Sequence, residues 1–165
     1  MRQRVMIAIA LAGRPRLLIA DEATTALDVT TQAQIMELLV ELQERLGMAV
    51  ILISHDLALA ASYADDVVVM YGGRAVERAS AATLFASVRM PYTRALLGAI
   101  PLLESTAHAE LPVVAGQPPD PAALPAGCPF RPRCGSATDE CMTAPEFTEH
   151  EPGHWWACWH PEVGA

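Results

Sequence analysis

Arg16-Leu-Leu-Ile-Ala-Asp-Glu-Ala-Thr-Thr-Ala-Leu-Asp28, "RLLIADEATTALD", is the stretch whose reading decides the fold. An apolar run ends abruptly in two adjacent carboxylates, Asp21 and Glu22, and a third, Asp28, follows six residues after the second. A short, continuously apolar run is the signature of a strand buried on both faces of a parallel sheet. Arg16 to Ala20 is therefore expected to be such a strand, with the acids at its carboxyl end. Charge taken out of water is costly unless something pairs with it, so the pair raises the question of its partner.

Helix signals follow the acids. Asp28 or Thr30 can cap, Ile35, Leu38, Leu39, Leu42 and Leu46 fall on one face, and Gly47 stops the run. "AVILI", Ala49 to Ile53, is a second buried strand, so strand, helix and strand make one right-handed crossover unit. "SHDLALAASYA" reads as a helix opening at Ser54 or Asp56. "DVVVMY" is a third strand, "GGR" a tight turn and "AVERA" its hairpin partner. The fold class is α/β.

Upstream, "MRQRVMIAIALAG" mimics a secretory leader. It reads better as an amphiphilic helix from Arg2 to Leu11, ended by Gly13 and Pro15, because cleavage there would leave an acid-bearing strand as the new N-terminus. The run is too short to span a bilayer. Downstream, Ala81–Val88 and Tyr92–Ala99 are short helical patterns separated by Pro91. "LPVVAGQPPDPAALPAG" has several breakers and no period, as in a loop or linker. A tail from Cys128 to Cys158 then holds all four cysteines. The chain divides into 1–79, the α/β part, and 80–165, an irregular Cys-rich extension. Its 165 residues, 52% of them hydrophobic, allow a packed core, and the net charge of −8 argues against a nucleic-acid binder.

In open α/β sheets ligands sit at the carboxyl ends of strands. Asp21 there can hold magnesium, a hard cation that prefers oxygen. Glu22 can orient and polarise an attacking water. His55, just past the next strand, projects toward the same rim and can contact a terminal phosphate. Asp28 sits in the following loop, within reach of a neighbouring subunit. Singly, each has a plain reading as a cap or a surface turn; together, in this order, they are specific.

The cysteines Cys128, Cys134, Cys141 and Cys158 are separated by five, six and sixteen residues. With no other candidate membrane segment the chain is expected to be soluble and cytoplasmic, where disulfides are not favoured, and zinc sites usually show closer knuckles. Four thiolates suit an iron–sulfur cluster, and the plain alternative is four small buried hydrophobes. His150, His154 and His160 read as substitute or outer donors, or as surface residues. Trp155, Trp156 and Trp159 either shield a centre or fill a local core. The tail has little apolar area of its own, so a metal would supply much of its stability.

"MRQRV", "LLIADEATTALD" and "ILISHDLALAASYADDVVVMYGGRAVE" closely resemble the C-terminal half of an ABC-transporter ATP-binding subunit. "MPYTRALLGAIP" and the Cys-rich tail resemble its oligopeptide/dipeptide importer branch. The resemblance implies the C-terminal part of a P-loop NTPase parallel sheet. It implies Asp21 as the Walker B aspartate of an Mg-ATP site, Glu22 as the catalytic glutamate, Asp28 as the D-loop aspartate and His55 as the switch histidine. It also implies a [4Fe–4S] cluster on the four cysteines, with zinc as the alternative. The implied partners are membrane permease subunits, a second ATP-binding subunit and, indirectly, a peptide-binding protein, and the implied location is the inner face of the cell membrane. Two positions depart from the pattern: Ala23 stands where Pro is usual and Met90 where His is usual. No G-x-x-x-x-G-K-[ST] loop occurs, and the signature and Gln-containing loops of the family fall upstream of Met1. The chain thus resembles a truncated subunit, expected to bind no ATP tightly by itself. The competing readings are a non-catalytic, metal-stabilised module that binds a partner ATPase, and a non-functional fragment.

Overall fold

The computed structural model describes residues 2–25, 27–100, 114, 116–120 and 122–163. It packs as two compact units, Met1–Ala64 and Asp65–Ala165.

The first unit runs α1 (Arg2–Leu11), β1 (Leu17–Asp21), α2 (Val29–Leu46), β2 (Ala49–Ile53) and α3 (Leu57–Tyr63). β1 and β2 pair in parallel, in register from Leu17 opposite Ala49 to Asp21 opposite Ile53. The α/β reading and the strand–helix–strand order hold. Of the two candidate caps for α2, Asp28 is used: its carboxylate accepts the Thr31 N–H. Gly47 ends the helix at φ +61°, a left-handed conformation that glycine adopts without strain. Ile35, Met36, Leu39 and Leu42 are the buried residues of α2. Ile35, Met36 and Leu39 form the core with Leu59 of α3, and Leu18, Leu52, Ile7, Leu27 and Tyr63 pack against it.

Two expectations for this unit need correction. The strands are covered on one face only: Leu17, Ile19, Ile51 and Ile53 on the other face are about half exposed or more. The alternation of a strand carries Leu18 and Leu52 to the helices and the odd-numbered residues away from them. Nor is α1 amphiphilic, since Ile7 reaches the core while Val5, Met6 and Ile9 point outward.

The second unit opens with a hairpin, β3 (Asp66–Tyr71) and β4 (Arg74–Ser80), followed by α4 (Ala81–Ala86) and α5 (Pro91–Gly98). Pro91 begins α5 instead of merely separating two helices, because the first helical turn needs no N–H from it. Residues 111–113, 115 and 121 of the expected linker lie outside the described residues, as do residues 101–110 before it. The tail contributes two 3₁₀ turns, Arg131–Arg133 and Asp139–Met142, and two strands, β5 (Thr148–Glu151) and β6 (His154–Trp156). The antiparallel sheet has the order β3-β4-β6-β5. The tail is therefore not wholly irregular: β6 adds to the hairpin, with Glu77 opposite Trp156 and Arg78 opposite Trp155. That pairing explains why packing groups β3 and β4 with the tail, whereas the sequence shift in character comes after residue 79.

The tail also shares apolar area with the hairpin, beyond what its composition suggests. Tyr71, Tyr92 and Phe130 bring β3, α5 and the Cys128 loop together, with ring centroids 4.5 to 5.3 Å apart. Arg133 donates from Nη1 to the Tyr71 hydroxyl at 3.2 Å and from Nη2 to the Val114 carbonyl at 3.0 Å.

Candidate functional site

Two groups of candidate residues come together, one in each unit. In the first, parallel pairing puts the ends of β1 and β2 side by side, and Asp21 stands exposed on that rim opposite Ile53. The next residue, Glu22, adopts φ +47°, which an L-residue with a side chain occupies at a cost. Neighbouring contacts hold it there. Its N–H donates to the Ile53 carbonyl at 3.0 Å and its carbonyl accepts the Thr25 N–H at 3.1 Å. The Thr25 hydroxyl donates to Glu22 Oε2 at 3.2 Å. The left-handed turn aims the carboxylate toward β2, where Glu22 Oε1 lies 3.4 Å from His55 Nδ1. Both side chains are more than half exposed, so the pair faces solvent and is free to meet a ligand.

His55 is set by the turn around it. The Asp56 carboxylate caps α3 through Oδ1, accepting the Ala58 N–H at 2.9 Å and the Leu59 N–H at 3.4 Å. The Asp56 N–H donates to Ser54 Oγ at 3.0 Å. Asp28 stands apart in its bonding: its carboxylate accepts the Thr31 N–H at 2.9 Å and the Thr31 hydroxyl at 2.7 Å. The hydroxyl bond, then the backbone bond, holds the Asp28 carboxyl below the ordinary aspartate range. Asp28 is thus the N-cap of α2 as well as a loop acid.

In the second unit Cys128, Cys134, Cys141 and Cys158 line one small cavity, together with Met90, Pro91, Trp159 and His160. All four are free thiols. Local backbone bonds bring them in: the Cys128 N–H donates to the Cys141 carbonyl at 3.0 Å and the Cys134 N–H to the Arg131 carbonyl at 3.2 Å. Burial, the largest cause, pushes the Cys128 and Cys134 thiols up, and Cys158 to about 11. Four soft sulfurs around one cavity are chemically suited to a thiolate-held centre. As they stand, no three His, Cys, Asp or Glu among the described residues are grouped to hold one ion.

The histidines separate. His160 lines the thiol cavity, and its Nε2 is 2.6 Å from the Thr138 hydroxyl. His150 stacks on Trp156 at 4.4 Å. His154 is not a surface residue: it is 1% exposed, and its Nε2 lies 2.9 Å from Oε1 of Glu77, which is 0% exposed. The tryptophans divide too. Trp159 lines the thiol cavity, whereas Trp156 is buried in the core and Trp155 packs toward Phe147.

Three structural residues escaped the sequence reading. Glu77, in "AVERA", looks like an ordinary exposed strand charge. Its carboxylate instead accepts the Arg89 N–H at 2.6 Å and the Met90 N–H at 3.2 Å. Gly127 at φ +81° passes so close to Cys141 and Met142 that a Cβ would collide with their backbones. Gln32 reaches Asp56. Of these only Gly127 carried a sequence signal, a glycine directly before a cysteine in a breaker-rich run.

Beyond this geometry, the chain is similar in sequence to the ATP-binding subunits of ABC-type peptide transporters. Residues 76–141 match the family described as "Oligopeptide/dipeptide transporter, C-terminal region". Over 161 residues, 98% of this chain, it is 50% identical to the oligopeptide transport ATP-binding protein OppD of Escherichia coli (strain K12) and covers 48% of that protein. Over 160 residues it is 49% identical to the probable peptide ABC transporter ATP-binding protein y4tR of Sinorhizobium fredii, again covering 48% of it. The chain spans about half the length of these curated relatives. A solved structure, cbiO1 from Clostridium perfringens, described as part of the ABC transporter complex cbiONQ, shares 41% identity. Its TM-score is 0.48 over 50% of this chain and 33% of that one. The chain is thus similar to part of these peptide-transport ATP-binding proteins, and the family it matches over residues 76–141 is described as a C-terminal region. Among the described residues, no helix is long and apolar enough to cross a membrane.

Proposed function

We infer that the chain is the C-terminal part of the ATP-binding subunit of an ABC-type peptide importer, and that the complete subunit couples ATP hydrolysis to oligopeptide or dipeptide uptake. One observation carries the reading: Asp21 ends a strand and Glu22 follows it, and just past the end of the parallel neighbour His55 Nδ1 lies 3.4 Å from Glu22 Oε1. Asp21 would hold the magnesium of Mg-ATP, whose charge neutralises phosphate oxygens as the terminal phosphoryl group leaves. Glu22 orients the attacking water, and its carboxylate is fixed for that task by Thr25 and the Glu22 turn. His55 steadies the same water and the terminal phosphate. Such chemistry is mostly positioning and charge stabilisation. Asp28, at the exposed start of α2, meets a second ATP-binding subunit across the nucleotide. No phosphate-cradling G-x-x-x-x-G-K-[ST] loop occurs in this chain, so tight nucleotide binding belongs to the complete subunit. Its partners are membrane permease subunits, which hold it peripherally at the inner face of the cell membrane, and, through them, a peptide-binding protein.

The test is Glu22→Gln in the complete subunit assembled with its permease. Loss of ATP hydrolysis with nucleotide binding retained is expected; undiminished hydrolysis overturns the reading. The isolated chain should show no tight ATP binding by calorimetry.

Cys128, Cys134, Cys141 and Cys158 would hold a [4Fe–4S] cluster, which supplies structural cross-linking of the tail; zinc is the alternative occupant. The four thiols lining one cavity support this. Anaerobically prepared protein with iron–sulfur visible absorption supports the cluster, and a colourless, zinc-loaded protein ends it.

A further inference from the structure

We propose that Gln32 is a positioning residue that ties the start of α2 to the turn presenting His55. The inference rests on reading Glu22 and His55 as the hydrolytic pair. The His55 side chain is about three-quarters exposed, so no packed wall sets its direction, and the backbone turn must do so. Ser54 fixes one flank of that turn and Asp56 the other. Asp56 spends one carboxylate oxygen capping α3, and the second, Oδ2, accepts from Gln32 Nε2 at 3.1 Å. Both residues are partly buried, and a neutral donor on a carboxylate there is a charge-assisted bond.

The other end of the tie is Asp28. The Gln32 N–H donates to the Asp28 carbonyl at 2.9 Å, so Gln32 lies one helical turn from the cap. Thr31 clamps the Asp28 side chain to that same turn. A displacement at the exposed start of α2 is therefore delivered to Asp56, and through one peptide to His55. Gln32 gives the loop acid and the rim histidine a common support.

The bond can be reversed, which makes it testable without nucleotide. Gln32→Glu sets two carboxylates against each other. Adding Asp56→Asn restores a donor and an acceptor with their roles exchanged, while the Asn carbonyl oxygen still caps α3. In the 165-residue chain, nuclear Overhauser contacts between the His55 ring protons and the Glu22 side chain report the pair. They are expected in the wild type, lost in Gln32→Glu and regained in Gln32→Glu/Asp56→Asn. Gln32→Ala, which introduces no repulsion, should weaken them and keeps the test decisive if Gln32→Glu unfolds. The Thr31 amide and Ile35 methyl shifts check that α2 stays folded. Contacts absent in the wild type, unchanged in Gln32→Glu or Gln32→Ala, or not regained in the double variant overturn the proposal. Because no ATP is present, these outcomes stand apart from whether the complete subunit hydrolyses it.

Discussion

Replacing Glu77 by Ala should unfold the second unit far below its normal temperature. The carboxylate is 0% exposed and accepts from three groups: the Arg89 N–H at 2.6 Å, the Met90 N–H at 3.2 Å and the His154 side chain at 2.9 Å. Removing it leaves two backbone donors and a buried imidazole without that acceptor. An orphaned buried donor costs about 1–3 kcal/mol. The three would relax together, so the total falls short of three such separate costs and is on the order of 4 kcal/mol. In a unit the size of Asp65–Ala165, each kcal/mol moves Tm by about 4–8 °C. A loss of about 4 kcal/mol therefore lowers Tm by roughly 15–30 °C. All three tryptophans, Trp155, Trp156 and Trp159, lie in this unit, so tryptophan fluorescence during heating follows it alone. Glu77→Gln should fall between, because its carbonyl oxygen still accepts while its amide nitrogen faces a donor. Arg78→Ala, next in sequence and exposed, should change stability by no more than about 0.5 kcal/mol. A Glu77→Ala loss below about 1 kcal/mol would refute the assignment of this carboxylate as the anchor of α5 and β6.

Gly127→Ala should prevent the tail from closing around the thiols, since the new Cβ meets the Cys141 and Met142 backbones; faster alkylation of all four cysteines by iodoacetamide checks this. Burial raises the Cys158 thiol from its ordinary 9.0 to about 11. The folded metal-free tail thus favours the neutral thiol, keeps that stability below pH 9 and loses it as the pH rises toward 11, as denaturation at stepped pH would read. The same shift means that filling the cavity with a metal releases protons, so binding should tighten as pH rises. The Asp28 carboxyl is held low by Thr31. Its capping is therefore complete above the ordinary 3.8 and lost as pH falls through the lower folded value. The Thr31 amide signal should titrate in the wild type, and not in Asp28→Asn.

What could be read from the chain was what depends on near neighbours. The apolar run into Asp21, the Asp28 cap, the Gly47 stop and the Ile35–Leu42 stripe are local signals, and β1, α2, β2 and the rim followed from them. Even there, the turn of Glu22 toward His55 needed φ +47°, which no pattern of side chains announces. In the second unit the pattern "AVERA" announced a strand but not which neighbour would cover it. Likewise, "HWW" gave no sign that β6 would pair with that strand.

The sequence by itself determined the α/β order, the caps and the placing of Asp21, Glu22 and His55 at adjoining strand ends, because short-range periodicity and turn chemistry suffice for these. Only the tertiary structure decided that Glu77 and His154, seventy-seven residues apart, share one buried bond. It also decided that four widely spaced thiols face one cavity and that Gln32 reaches Asp56. Burial and partnership between distant residues are properties of packing, and a side chain carries the same letter whether water or a carboxylate meets it.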